Sequence, residues 1–133
     1  MTECNCSCSS ACAVNTAHSN VYACAGASNV GKISVELAIA LHKANKYRMG
    51  CAAGVGADIC GFKEAAEETE TANLVIDGCA VSCLKNMFDK KEIGNYQHII
   101  LTEFGIEKEP HFDYDQNVIK RLVEQIDDVK RAK

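Results

Sequence analysis

The chain has 133 residues, with 18 acidic against 14 basic side chains for a formal charge of -4 and 47 % apolar residues, which suits one domain around one hydrophobic core. An acidic balance without clustered Lys and Arg disfavours nucleic acid and anionic lipid surfaces as partners. No apolar run is long enough to span a membrane, and the first twenty residues lack a basic stretch followed by an apolar one, so the expected location is the cytoplasm.

Residues 1–19 are polar, rich in Ser, Asn and Cys, and without periodicity, and are expected to form a flexible tail before a single α/β domain over 20–133. From Asn20 on, short apolar runs alternate with amphipathic ones, the pattern of repeated βα units. A first strand is expected over 20–25, followed by a Gly-containing turn and a helix over 30–45 with Ile33, Leu37, Leu41 and Ala44 as its inward stripe. A second strand is expected over 47–52, then the glycine-rich AAGVGADICGF and a short helix KEAAEETE. The third strand, NLVID over 73–77, is apolar enough to be buried on both faces. A helix over 80–90 should follow it with Val81, Leu84 and Phe88 inward. The fourth strand is expected over 97–104 and the last helix over 115–130, with Val118, Leu122, Ile126 and Val129 inward. Asp113 and Asp115 at that helix's start and Lys130 and Arg131 at its end complement the helix dipole. Right-handed crossovers between parallel strands then give a three-layer αβα sandwich, Rossmann-like, around a four-stranded parallel sheet of order 2-1-3-4. Its functional crevice should lie at the carboxyl edge, between strands 1 and 3.

Nine cysteines in a reducing compartment point to metal ligands or redox chemistry more than to structural disulfides. Cys4, Cys6, Cys8 and Cys12 crowd the tail, where alternating thiols suit soft metal ions. Cys24, Cys51 and Cys79 sit at the ends of strands 1, 2 and 3, and Cys83 lies one helical turn beyond Cys79. All four are therefore expected on one edge, where converging thiolates make a tetrahedral site for zinc or, alternatively, an iron–sulfur cluster. Cys60, nine residues after Cys51, is a further possible ligand. His18, His42, His98 and His111 show no ligand spacing.

The segment from Gly26 to Lys32 fits G-x4-G-K, and Leu74–Asp77 imitates the strand and acid that hold magnesium in P-loop enzymes. The hydroxyl residue required after the lysine is Ile33 here, with Ser34 one position late. Gly26, Ser28, Asn29, Gly31 and Lys32 remain as a candidate anion cradle at a helix start.

CAGASNVGK (24–32), CAAGVG (51–56) and IDGCAVSC (76–83) together resemble the DGC-domain family of zinc-binding proteins, named for the Asp-Gly-Cys found here at Asp77, Gly78 and Cys79. The likeness extends over roughly 20–108, through HIILTEFGIEK. It implies four chelating cysteines, which map onto Cys24, Cys51, Cys79 and Cys83, and it supplies no reaction. The chain departs from the family pattern at Ala25, Lys32 and Cys60. The expected function is metal binding, zinc first, in metal handling or redox, with Asp77 expected either to orient a metal-bound cysteine from behind or to act as a general base. A thiol enzyme would instead use Cys79 as nucleophile with Cys83 or Cys24 as resolving partner. A small anion or nucleotide binder built on Lys32 is the third reading.

Overall fold

The structure is a computed structural model that describes residues 19–69 and 71–131. The expected tail, with Cys4, Cys6, Cys8, Cys12 and His18, lies outside the described residues apart from Ser19.

Four parallel strands, β1 (Asn20–Ala23), β2 (Arg48–Met49), β3 (Asn73–Asp77) and β4 (Tyr96–Ile100), form one sheet in the order β2-β1-β3-β4. Helices α1 (Asn29–Lys43), α2 (Ala52–Gly56), α3 (Phe62–Glu67), α4 (Cys83–Lys90) and α5 (Asn117–Arg131) connect or follow them. Alternation along the strands divides the core into two layers. Val21, Leu74 and Ile76 point to one face and pack with Ile33, Leu37 and Leu41 of α1 and Leu122 and Ile126 of α5. Tyr22 and Val75 point to the other, against Val55 of α2, Ala66 of α3 and Leu84 and Phe88 of α4. Phe88 sits edge-on between Tyr22 and Tyr96, with ring centroids 5.1 and 5.8 Å away. This is the expected αβα sandwich. β3, paired on both sides, is buried at all five positions.

The boundaries differ where glycine or a turn intervenes. β2 keeps only two residues. At Gly50 a Cβ would come within 2.4 Å of the Tyr22 ring, so the chain passes close over that side chain and then turns. The glycine-rich stretch after it, expected to be loop, contains α2, a five-residue helix despite its two glycines. β4 ends at Ile100 and passes into a 3-10 turn, Leu101–Phe104. Ala44 is the C-terminal cap of α1 and is exposed rather than part of the core stripe. α4 begins at Cys83, because Ser82 takes a left-handed conformation at φ 56°. Val81 thereby falls in a turn and is 64 % exposed instead of facing inward. Val118 is half-buried against the α1 layer, and the Val129 side chain is outside the described set. Among the described residues no helix is long and apolar enough to cross a membrane.

Candidate functional site

The carboxyl ends of β1 and β3 lie side by side, and the Cys24 N–H donates to the Ile76 carbonyl at 2.9 Å, carrying the sheet pairing one residue beyond β1. Gly78 then leads β3 tightly past α1, since a Cβ there would stand 2.9 Å from a Val30 methyl. The turn from Cys79 closes on itself through the Ser82 N–H and the Cys79 carbonyl at 3.1 Å, and Cys83 opens α4. This local path brings three thiols onto one cavity of about 210 Å³, lined by Cys24, Cys79 and Cys83 together with Gly26, Asp77 and Lys108. Cys24 and Cys79 are half-buried, Cys83 is exposed, and all three are free thiols. Burial pushes the Cys24 thiol up, the Asp77 charge adds to this, a Gly78 N–H bond opposes it, and negative charge on Cys83 or Cys79 raises it further.

Asp77, 1 % exposed, forms the floor. Its two carboxylate oxygens accept from the Leu84 and Lys85 N–H groups, each at 3.0 Å. His98 Nε2 lies 2.8 Å from the same carboxylate. A strand-end acid thus does for α4 what an N-cap side chain usually does, and Ser82 makes no side-chain cap bond. Two N–H groups at the start of α4 are thus satisfied from below by Asp77 rather than by the thiols of Cys79 and Cys83. On the rim, Lys108 Nζ donates to Cys79 Sγ at 3.5 Å.

Cys51 stands elsewhere. It is exposed, and its Sγ accepts from the Gly54 N–H at 3.3 Å as the N-cap of α2. It lines a second cavity of about 700 Å³ with Tyr22, Arg48 and Phe62, and only Ala25 lines both cavities. Cys60 lines neither and is disulfide-bonded. Among the described residues no group of three or more His, Cys, Asp or Glu side chains is arranged to hold a metal ion. The three thiols form the wall of the cavity without closing on one point.

The suggested anion cradle is mostly used by its own chain. Ser28 caps α1 by accepting from the Gly31 N–H at 3.1 Å, and the Asn29 N–H donates to the Glu109 carbonyl at 3.2 Å. Gly31 is needed for packing, since a Cβ would lie 2.7 Å from the Gly26 carbonyl oxygen. Lys32 pairs with Glu36 at 3.0 Å along the exposed side of α1, and the hydrogen bond that it donates to Glu36 raises its pKa. The lysine that reaches the cavity is Lys108, which motif reading did not single out. Its only sequence-level trace was its place as the last residue of HIILTEFGIEK.

Residues 20–126 match the DGC domain. Among characterised proteins, the chain is similar to the anaerobic and virulence modulator AnvM of Pseudomonas aeruginosa, with 33 % identity over 107 residues, 80 % of this chain and 81 % of that protein. No solved structure matches.

Proposed function

The chain belongs to the DGC-domain family, and we propose that it binds a soft metal ion, zinc first, through thiolates at the carboxyl edge of the sheet. The observation that carries this reading is the convergence of Cys24, Cys79 and Cys83 on one cavity from two adjacent strand ends. Donor chemistry supports it: sulfur ligands select zinc and, as the alternative, iron–sulfur clusters. Electrostatics supports it as well. Burial first, and then the Asp77 charge, push the Cys24 thiol up, and a divalent cation in the cavity would offset both. Binding must draw the thiols inward from the cavity wall. The Cys79–Ser82 turn is suited to this, since Ala80 and Val81 are exposed and outside the core. Because the ligands must lose protons, affinity should rise with pH and binding should release protons.

The test is metal analysis of protein purified under reducing, oxygen-free conditions, alongside Cys79→Ser. About one zinc per chain, lost in the variant, supports the reading. Metal-free wild type after zinc loading, or a variant that keeps its zinc, overturns it.

The Lys108 contact favours a second reading. Lys108 Nζ contacts Cys79 Sγ at 3.5 Å, and Cys79 shares one cavity with Cys83, an arrangement suited to disulfide exchange. Cys79 would attack an external disulfide to give a mixed disulfide and one released thiol, and Cys83 would displace the second thiol to leave a Cys79–Cys83 disulfide. The relative's name, an anaerobic modulator, suits a site that responds to oxidation. Joint loss of both alkylatable thiols with glutathione disulfide, reversed by dithiothreitol, is the expected signature; independent oxidation of the two would exclude it.

A further inference from the structure

The larger cavity, about 700 Å³, lies at the edge of the sheet where β2, among the described strands, pairs with β1 alone. Its volume is that of a small-molecule site, and it shares only Ala25 with the thiol cavity. Two aromatic rings line it, and each is held against backbone by a glycine. A Cβ at Gly54 of α2 would stand 2.8 Å from the Phe62 ring, and one at Gly50 would stand 2.4 Å from the Tyr22 ring, so this apolar surface is preformed. Val35 and Met49 extend it. Met49 is 36 % exposed, apolar surface that a ligand with an apolar body would cover. The buried polar groups of the lining are satisfied within the chain: Asn20 Nδ2 donates to the Ala65 carbonyl at 3.1 Å, and Asn20 also hydrogen-bonds Tyr22.

Charge on the lining has one sign. In a chain of formal charge -4, this cavity is lined by Arg48 and His42 and, among the described residues, by no Asp or Glu. His42 Nδ1 accepts from the Met49 N–H at 3.0 Å, so the neutral ring carries its proton at Nε2 and keeps a donor there. The Arg48 guanidinium carries several N–H donors, enough for more than one partner. We infer that this cavity binds a small organic carboxylate with an apolar body, of the medium-chain fatty acid class: the body lies on Tyr22, Phe62 and Met49, and the carboxylate accepts from Arg48 and His42. An added peptide strand is a poorer occupant of this edge. The N–H groups of Arg48 and Gly50 turn inward to the Ser19 and Val21 carbonyls, each at 2.9 Å, and the outward Met49 N–H is taken by His42. The inference does not depend on metal binding at the thiol cavity.

The experiment is isothermal titration of the reduced full chain with octanoate, hexanoate and octanamide, all below micelle-forming concentrations. Octanoate should bind saturably at about one per chain. It should bind about tenfold more tightly than hexanoate, because its longer chain buries more methylenes. Octanamide, with the same body and no charge, should bind about tenfold more weakly than octanoate. Arg48→Gln should weaken octanoate about tenfold and leave octanamide unchanged. Ala53 is an exposed residue of α2 that lines the cavity, and leucine is a good helix former, so Ala53→Leu should fold, fill the space and weaken octanoate about tenfold or more. Octanoate should also slow alkylation of Cys51, which lines this cavity, and leave that of Cys83, which lines the other, unchanged. Equal affinity for octanoate and octanamide, no saturable octanoate binding by the folded chain, wild-type affinity in Ala53→Leu, or protection of Cys83 in place of Cys51 overturns the inference. So does a dimer that octanoate dissociates, which would assign the cavity to a second copy of the chain.

Discussion

Two turns of this fold start alike and end differently. After β2 and after β3 a cysteine stands where a strand gives way to a helix, yet Cys51 spends its sulfur on the Gly54 N–H, while Cys79 and Cys83 keep theirs on a cavity. The difference is Asp77. Its carboxylate occupies the N–H groups of Leu84 and Lys85 from inside the sheet, so α4 has no need of a cap from its own turn. Among the described residues no carboxylate accepts from the start of α2, and the Cys51 thiol accepts there instead. At the end of β3 the following helix is therefore satisfied by Asp77, and at the end of β2 by the cysteine itself.

The largest break in this comparison should come from Asp77. Asp77→Ala removes two hydrogen bonds to α4 and the His98 contact from a buried site, and should cost about 3 kcal/mol or more in urea unfolding. Cys79 and Cys83 should then react faster with iodoacetamide as the turn loosens; unchanged stability would mean that the carboxylate does not hold α4. The alkaline limb should expose the other side of the sheet. Burial, opposed by the Asn20 hydrogen bond and aided by Cys51, pushes the Tyr22 phenol from 10.0 up to about 12. The folded state therefore holds this proton more tightly than the unfolded chain. Tyr22 contributes full stabilisation below pH 10, and it is lost as pH rises toward about 12. The loss should amount to about 2 to 3 kcal/mol, seen as a steeper alkaline decline in wild type than in Tyr22→Phe.

Gly31→Ala places a methyl against the Gly26 backbone and should cost about 1 to 3 kcal/mol. It should also change the reactivity of Cys24 and leave that of Cys51 alone, since Gly26 lines only the three-thiol cavity. Smaller again is the cap itself. Cys51→Ala should lower stability by about 1 kcal/mol, whereas Cys51→Ser should stay within about 0.5 kcal/mol of wild type. Equal effects of the two would show that the Gly54 hydrogen bond contributes nothing and would remove the contrast with Asp77.

Much of the frame was legible because it depends on local pattern. NLVID is the strand that its apolar run predicts, and the sheet order follows from the βα alternation and crossover handedness. The stripe Ile33, Leu37 and Leu41 is buried as a period of 3.6 requires. What failed to show depends on contacts distant in sequence or on single backbone angles. Ser82 at positive φ delays α4 and turns Val81 outward, and no residue pattern announced that angle. The helix around Gly54 was hidden by glycine's poor helix propensity. Motif logic drew attention to Lys32, which follows the glycine turn but pairs with Glu36. Lys108 reaches the thiols only because Asn29, 79 positions before it, clamps the loop that carries it, and such a relation has no local signature.

The most direct measurement is the zinc X-ray absorption fine structure of the loaded wild-type protein. About three sulfur neighbours at about 2.3 Å and one lighter atom at about 2.0 Å are expected. A shell of four sulfurs would bring Cys51 or another thiol into the site and contradict the three-thiol assignment, and a shell of nitrogen and oxygen alone would contradict thiolate binding altogether.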